Sequence, residues 1–138
     1  MQASTLAYSF KVWIMAIFIG PGLLGLGFWL RDRSPLDWSV FTFLGYSIMF
    51  GVVFSIPGFF LFWVGAFSIC GKSWPVIKKR LVMAVLALVL SVLTFLLVAQ
   101  VFGIPSWRLT WICDAAYFPA LVAGIFLNPV PEPEPEPF

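Results

Sequence analysis

Asp114 offers the clearest chemistry in this chain, because it is the one carboxylate inside a long apolar stretch. An ionisable side chain within a membrane-spanning helix is costly to bury and by default indicates a functional or paired group. Candidate partners are the hydroxyl of Thr110 and three arginines near the same ends of the predicted helices, Arg31, Arg33 and Arg108. Asp114 therefore has two interpretations: a structural ion pair or hydrogen bond, and a site for a transported proton or cation.

The other reactive side chains are two cysteines, and the chain has no histidine. Cys70 and Cys113 form no Cys-x-x-Cys pair and fall on opposite sides of the predicted bundle, so neither a thiol redox pair nor a disulfide is expected. The sequence also lacks a credible metal or haem ligand set and an acid–base or nucleophilic pair. We therefore expect no cofactor and no enzymatic activity.

The composition is that of a membrane protein. Of 138 residues, 62% are hydrophobic and only 10% are charged, and the mean hydropathy is +1.02. A soluble domain carries roughly 25% charged residues. The surface of this single domain is therefore expected to face lipid, and the net charge of +2 is too small to indicate a nucleic-acid partner.

Four apolar segments are each long enough to cross the hydrocarbon core, which takes ~20 helical residues. The predicted spans are about 11–30, 36–70, 75–102 and 107–127, within a transmembrane domain over residues 1–128. The predicted fold class is therefore an all-α membrane protein, a four-helix bundle. Predicted N-caps precede the last three spans at Ser34, Ser73 and Ser106, with Pro75 in the first turn of the third span and Gly103 at its end.

The second span is the longest and needs a proline to fit the membrane. From Pro35 to Cys70 a straight helix would measure ~54 Å, which exceeds the ~30 Å hydrocarbon core. Pro57 is expected to kink this helix. The segment is either one long bent span or a span followed by a short second segment, and we favour the single bent span because two crossings would each be too short. Pro21 is expected to kink or break the first helix in the same way.

Small residues recur at helical spacing on the predicted helices. They are Ser47, Gly51, Ser55, Gly58 and Gly65 on the second, Ala84, Ala87 and Ser91 on the third, and Ala116, Ala120 and Gly124 on the fourth. Steps of three, four and seven residues keep each set on one face. In lipid, such faces let helix backbones approach closely where the hydrophobic effect gives no drive. These residues are the predicted helix-packing interface.

The distribution of Lys and Arg predicts the orientation. With four spans, one side of the membrane holds Lys11, Lys72, Lys78, Lys79 and Arg80, and the other holds Arg31, Arg33 and Arg108. The positive-inside rule counts these residues and places the richer side in the cytoplasm. We therefore expect a multi-pass protein of the cell membrane with both termini in the cytoplasm.

Residues 129–138 form a tail of alternating proline and glutamate. This alternation prevents helix and sheet and favours an extended polyproline II conformation. Two interpretations remain open, a solvated flexible end and a docking peptide for a partner. The residues that would dock are Pro131, Glu132, Glu134, Glu136 and Phe138.

Two classes of function fit these patterns. The first is a non-catalytic membrane protein that binds other membrane helices, as an accessory or assembly subunit of a larger complex or as an immunity-type inhibitor. It is favoured because the small-residue faces are more extensive than one core needs. The alternative is a homo-oligomeric ion channel or small transporter, in which Asp114 and the segments at Pro21 and Pro57 line a path. The few polar groups within the spans count against this alternative.

Overall fold

The computed structural model describes residues 2–32, 38–103 and 107–132, which form four α-helices and no strand. The helices are α1 (Gln2–Asp32), α2 (Trp38–Cys70), α3 (Val76–Val101) and α4 (Trp107–Leu127). Contacts join α1 to α2, α2 to α3, α3 to α4 and α4 to α1, whereas Cα atoms of the diagonal pairs do not come within 8 Å in the described residues. The predicted all-helical fold with four helices is confirmed, and the helices form a closed ring.

Three of the helices are long and apolar enough to cross a membrane. They cover Ala3–Arg31, Trp38–Cys70 and Val76–Val101, and the apolar part described in the last helix, Trp111–Leu127, is shorter. Large apolar side chains cover the outside of the bundle, including Phe18, Phe60 and Leu97, which are each more than half exposed. An apolar outer surface on helices of this length indicates a membrane protein.

Helix α1 begins at Gln2, whereas the predicted span begins near residue 11. The polar segment before Lys11 is helical because one of its faces is buried: Thr5, Tyr8 and Ser9 are almost inaccessible to solvent. The Tyr8 hydroxyl donates to the carbonyl oxygen of Ile125 at 3.2 Å, which ties the start of α1 to the end of α4. Hydropathy alone does not reveal such a face.

The ends of α3 differ from prediction in one respect and agree in another. The predicted N-cap at Ser73 is wrong, because Pro75 (φ −61°, ψ 147°) occupies the N-cap and no side chain caps the helix. Proline has no N–H to bond within the helix, while its carbonyl accepts the amide of Lys79 at 3.1 Å. At the other end, Gly103 has φ of 61°, the left-handed conformation in which glycine ends a helix. Ser34, Ser106 and the predicted start at residue 36 lie outside the described residues.

Helix α2 is continuous for 33 residues, with Pro57 inside it. The segment is therefore one helix rather than a span and a separate short segment. At 1.5 Å per residue it measures ~50 Å, so in a membrane it must tilt or extend beyond the hydrocarbon. Helices α1 and α4 likewise continue through Pro21 and Pro119.

The hydrophobic core lies at the end of the bundle where α1 and α3 begin and α2 and α4 end, which we call the basal end. Its buried residues are Tyr8, Val12, Phe62, Ala66, Ile69, Met83, Ala87 and Ile125. Val130 packs against this cluster, so the first tail residues lie against the bundle. Pro131 is half-buried and Glu132 is exposed, whereas Glu134, Glu136 and Phe138 lie outside the described residues.

Cations satisfy backbone groups at the basal end. The Lys79 ammonium is buried and donates a hydrogen bond at 3.0 Å to the carbonyl of Cys70, which is the last residue of α2. A positive charge there stabilises the free carbonyls and the dipole of the helix end. The Arg80 guanidinium lies 5.5 Å from the centroid of the Phe126 ring and donates to the Asn128 carbonyl at 3.4 Å. These contacts hold the ends of α2 and α4 against the start of α3.

Candidate binding cavity

Above the core, the centre of the ring holds a cavity of about 580 Å³ that is partly open to the outside. All four helices contribute to its wall. Along α1 the wall runs from Val12, beside the core, to Phe28, a distance of ~24 Å at 1.5 Å per residue. The cavity lies where the described parts of the diagonal helices do not meet.

Aromatic pairs join neighbouring helices along this wall. Phe28 of α1 meets Phe43 of α2 edge-on, with ring centroids 5.9 Å apart. Phe54 of α2 meets Phe102, at the end of α3, at 5.6 Å. Such edge-to-face contacts add ~0.5–1.5 kcal/mol beyond the burial of the rings. These aromatic side chains therefore stabilise the contacts between neighbouring helices and leave the centre of the bundle open.

The predicted helix-packing residues point into the bundle, but they have two different surroundings. On α2, Ser47, Gly51, Ser55 and Gly58 line the cavity, while a Cβ added at Gly65 would overlap the Leu86 side chain of α3. On α3, Ala87 and Ser91 line the cavity, and Ala84 packs against the core. On α4, Ala116 and Ala120 are buried, and a Cβ at Gly124 would lie 3.1 Å from the Val12 Cα. The small residues thus allow close backbone approach at Gly124 and leave open space around Gly51.

Most of the side-chain donors on the cavity wall are already used. The Trp13 indole N–H of α1 donates to the Ser55 hydroxyl of α2 at 2.8 Å. The Ser55 hydroxyl in turn donates to the Gly51 carbonyl. On α3, the Thr94 hydroxyl donates to the Leu90 carbonyl at 2.8 Å. Because these hydrogen bonds satisfy the donors within the protein, the wall presents mainly apolar surface to the cavity.

Tyr117 of α4 reaches across the ring of helices. Its ring occupies the space beside Gly20 of α1, where an added Cβ would lie 2.5 Å from the ring Cδ1. The ring centroid lies 5.3 Å from that of Phe95 on α3. Its hydroxyl lies 3.6 Å from the position of a Cβ at Gly51, on the diagonal helix α2. Tyr117 therefore brings one hydroxyl into the middle of an apolar cavity.

Asp114 lies behind the cavity wall, at the interface of α3 and α4. It is 4% exposed, and its Oδ1 accepts a hydrogen bond from the Ser91 hydroxyl, while its Oδ2 has no hydrogen-bond partner among the described residues. Arg31 is exposed on the last turn of α1. Arg33 and the side chain of Arg108 lie outside the described residues, and the ion pair of Asp114 with an arginine stays a prediction. The described partner is a serine, which the sequence pattern did not indicate.

Both cysteines are free thiols, Cys70 buried at the basal end and Cys113 half-buried on the cavity wall. Within the described residues, His, Cys, Asp and Glu side chains form no group of three that could hold a metal ion.

Comparison with known protein families, curated proteins and solved structures finds no match to this chain. Sequence reasoning missed both the cavity and Tyr117. The available signal was the placement of aromatic residues beside the small residues of α2, such as Phe54 next to Ser55.

Proposed function

We propose that this protein is a small multi-pass membrane protein that acts by binding, without catalysis, and that its central cavity holds an apolar membrane molecule. The observation that carries the proposal is the cavity of about 580 Å³, of whose described lining residues none is charged. Ligand sites in proteins are typically ~300–1,000 Å³ and have apolar and aromatic walls with a few polar groups. The cavity has this size and this chemistry.

The chemistry of the cavity wall favours a lipid chain or a small isoprenoid as the ligand, because the described lining residues are apolar or aromatic apart from a few hydroxyl and thiol groups. A lipid chain or an isoprenoid already dissolves in the surrounding bilayer, so it needs no polar path to enter.

The alternative of an ion channel or transporter has less support. Selectivity filters and ion paths use rings of carbonyls or charged side chains to replace the water around an ion. The described wall has no charge, and Asp114 does not line it. An ion in this cavity would lose its hydration without comparable compensation.

A role as an accessory or assembly subunit, or as an immunity-type inhibitor, is a second candidate, favoured by one observation. Only 6% of the most apolar window of α2 is buried within the chain, against 28% in α1 and 22% in α3. Such a helix has a large outer face for lipid or for a partner helix. The small residues that first suggested helix partners point inwards, however, so a partner on this face would contact bulky side chains such as Phe60 and Val64.

We propose the cell membrane as the location, with both termini in the cytoplasm. The basal end carries Lys72, Lys78, Lys79 and Arg80, and both Gln2 and the start of the tail lie at this end. The positive-inside rule supports this orientation.

A fluorescent apolar probe tests the proposed binding site. The full chain, purified in a mild detergent, is titrated with 1-aminoanthracene, whose fluorescence rises in apolar cavities. We expect saturable binding to wild type and its loss in Gly51→Leu, because the leucine side chain projects into the cavity. The matched control is Gly45→Leu on the same helix, where a Cβ meets nothing within 4 Å and the position does not line the cavity.

The two variants separate cavity binding from partition into detergent. Equal probe binding by Gly51→Leu and Gly45→Leu, with both proteins monodisperse, would refute the cavity as the site. Mass spectrometry of the protein released from detergent in the gas phase should also detect a bound apolar molecule on wild type that is depleted in Gly51→Leu. Stable co-purification with a larger membrane protein, without any bound small molecule, would favour the accessory role instead.

A further inference from the structure

We propose that Tyr117 makes the cavity selective for apolar molecules that carry a hydrogen-bond acceptor, such as the carbonyl oxygen of a ketone, ester or quinone. This inference rests on the proposed function, because it names the ligand class of the same cavity. It assigns to Tyr117 the role of a specificity-determining residue, with Ser47 as a second polar contact.

The hydroxyl of Tyr117 is available to a ligand. The indole of Trp13 and the hydroxyls of Ser55 and Thr94 already donate to acceptors within the protein. Ser91 donates to Asp114 and is likewise used. The Tyr117 hydroxyl has no hydrogen-bond partner among the described residues, although it faces the cavity. A hydroxyl without a partner in apolar surroundings gains a hydrogen bond when a ligand supplies an acceptor.

A second hydroxyl lines the same cavity. Ser47 lines the cavity four residues before Gly51, and residues four apart on a helix have Cβ positions ~5–6 Å from each other. The Tyr117 hydroxyl lies 3.6 Å from the Cβ position of Gly51. The Tyr117 hydroxyl therefore lies at most ~10 Å from the Ser47 Cβ. Tyr46, the other tyrosine on the wall, is 57% exposed and lies at the edge of the cavity.

The position of Tyr117 is fixed by its neighbours. Its ring rests against Gly20, a position where any side chain would overlap the ring, and against the Phe95 ring at 5.3 Å. A polar group held by such contacts loses little freedom on binding, so its hydrogen bond contributes more to affinity. The apolar remainder of the wall accepts the rest of the ligand with little discrimination.

The test uses two probes that differ only in the acceptor, 2-heptadecanone and heptadecane, in competition with 1-aminoanthracene on the full chain. We expect wild type to bind the ketone about five- to tenfold more tightly than the alkane, the effect of one hydrogen bond. Tyr117→Phe keeps the ring and its contacts, so it should abolish this preference and leave alkane affinity unchanged. Ser47→Ala should reduce the preference in part. The control Ser68→Ala, at an exposed position of α2 that does not line the cavity, should leave it intact.

The outcomes separate the inference from the function on which it rests. Equal affinity of wild type for ketone and alkane, or a preference that survives Tyr117→Phe, would overturn the role of Tyr117 while the cavity remains a binding site. Failure of both probes to displace 1-aminoanthracene from wild type would overturn the proposed function as well.

Discussion

Replacing Gly20 by alanine should displace the Tyr117 ring and reveal how closely α1 and α4 are matched. A Cβ at Gly20 would lie 2.5 Å from Cδ1, 2.6 Å from Cε1 and 2.9 Å from Cγ of that ring. Ordinary contact begins near 3.4 Å, so the ring must move by about 0.9 Å. Moving the α4 backbone away from α1 would break the close packing of Gly124 against the Val12 backbone. The ring must therefore turn away from its present position.

The size of the effect follows from two opposing contributions. Alanine is preferred over glycine within a helix by about 1 kcal/mol. Forcing extra volume into a filled site costs ~1–3 kcal/mol. We expect the free energy of unfolding of Gly20→Ala to fall by about 1 kcal/mol, within a range of ~0–2 kcal/mol. We also expect the ketone preference to fall, because the displaced hydroxyl no longer meets the acceptor at hydrogen-bond distance.

The matched control is Gly22→Ala, two residues along α1, where a Cβ meets nothing within 4 Å. Its free energy of unfolding should rise by up to ~1 kcal/mol, because alanine is preferred over glycine within a helix. It should keep the ketone preference. Unfolding by sodium dodecyl sulfate in mixed micelles, followed by tryptophan fluorescence, measures both stabilities. Equal shifts for the two variants would refute the close contact between Gly20 and Tyr117.

Three further predictions concern the bundle and its orientation. Gly124→Ala should lower the free energy of unfolding by ~0–2 kcal/mol, because its Cβ presses on the α1 backbone. Gly45→Ala should raise the free energy of unfolding, and equal effects of the two variants in the same assay would contradict the close packing of Gly124. Ser91→Ala removes the hydrogen bond to the α4 carboxylate and should lower the free energy of unfolding by ~1–2 kcal/mol; no change would mean that the bond contributes nothing to stability. In intact cells, an impermeant thiol reagent should label a cysteine at Phe102 and spare one at Lys72, and the reverse pattern would contradict the proposed orientation.

The helices could be predicted from the sequence because their signals are local. The run from Trp38 to Cys70 is 33 residues long and contains no charged residue. Gly103 ends α3 in the left-handed conformation that glycine adopts readily. The start of α1 escaped prediction because Thr5 and Ser9 are polar yet buried, and because Tyr8 bonds to α4, a tertiary contact that hydropathy does not reveal. The predicted N-cap of α3 at Ser73 was wrong because Pro75 occupies the N-cap position.

The cavity could not be predicted because periodicity assigns a residue to a face, but not to the helix that this face meets. Gly65 faces α3, a neighbour in the ring, and a Cβ there would overlap Leu86. Gly51 lies on the same face of α2, yet the residue across from it is Tyr117 of the diagonal helix, and the space around Gly51 belongs to the cavity. One pattern of small residues thus allows close packing where it meets a neighbour and leaves a cavity where it meets the diagonal. The small residues of α2 that first indicated binding of external helices therefore support the proposed internal binding site, and the hydroxyl that we propose makes this site selective comes from another helix.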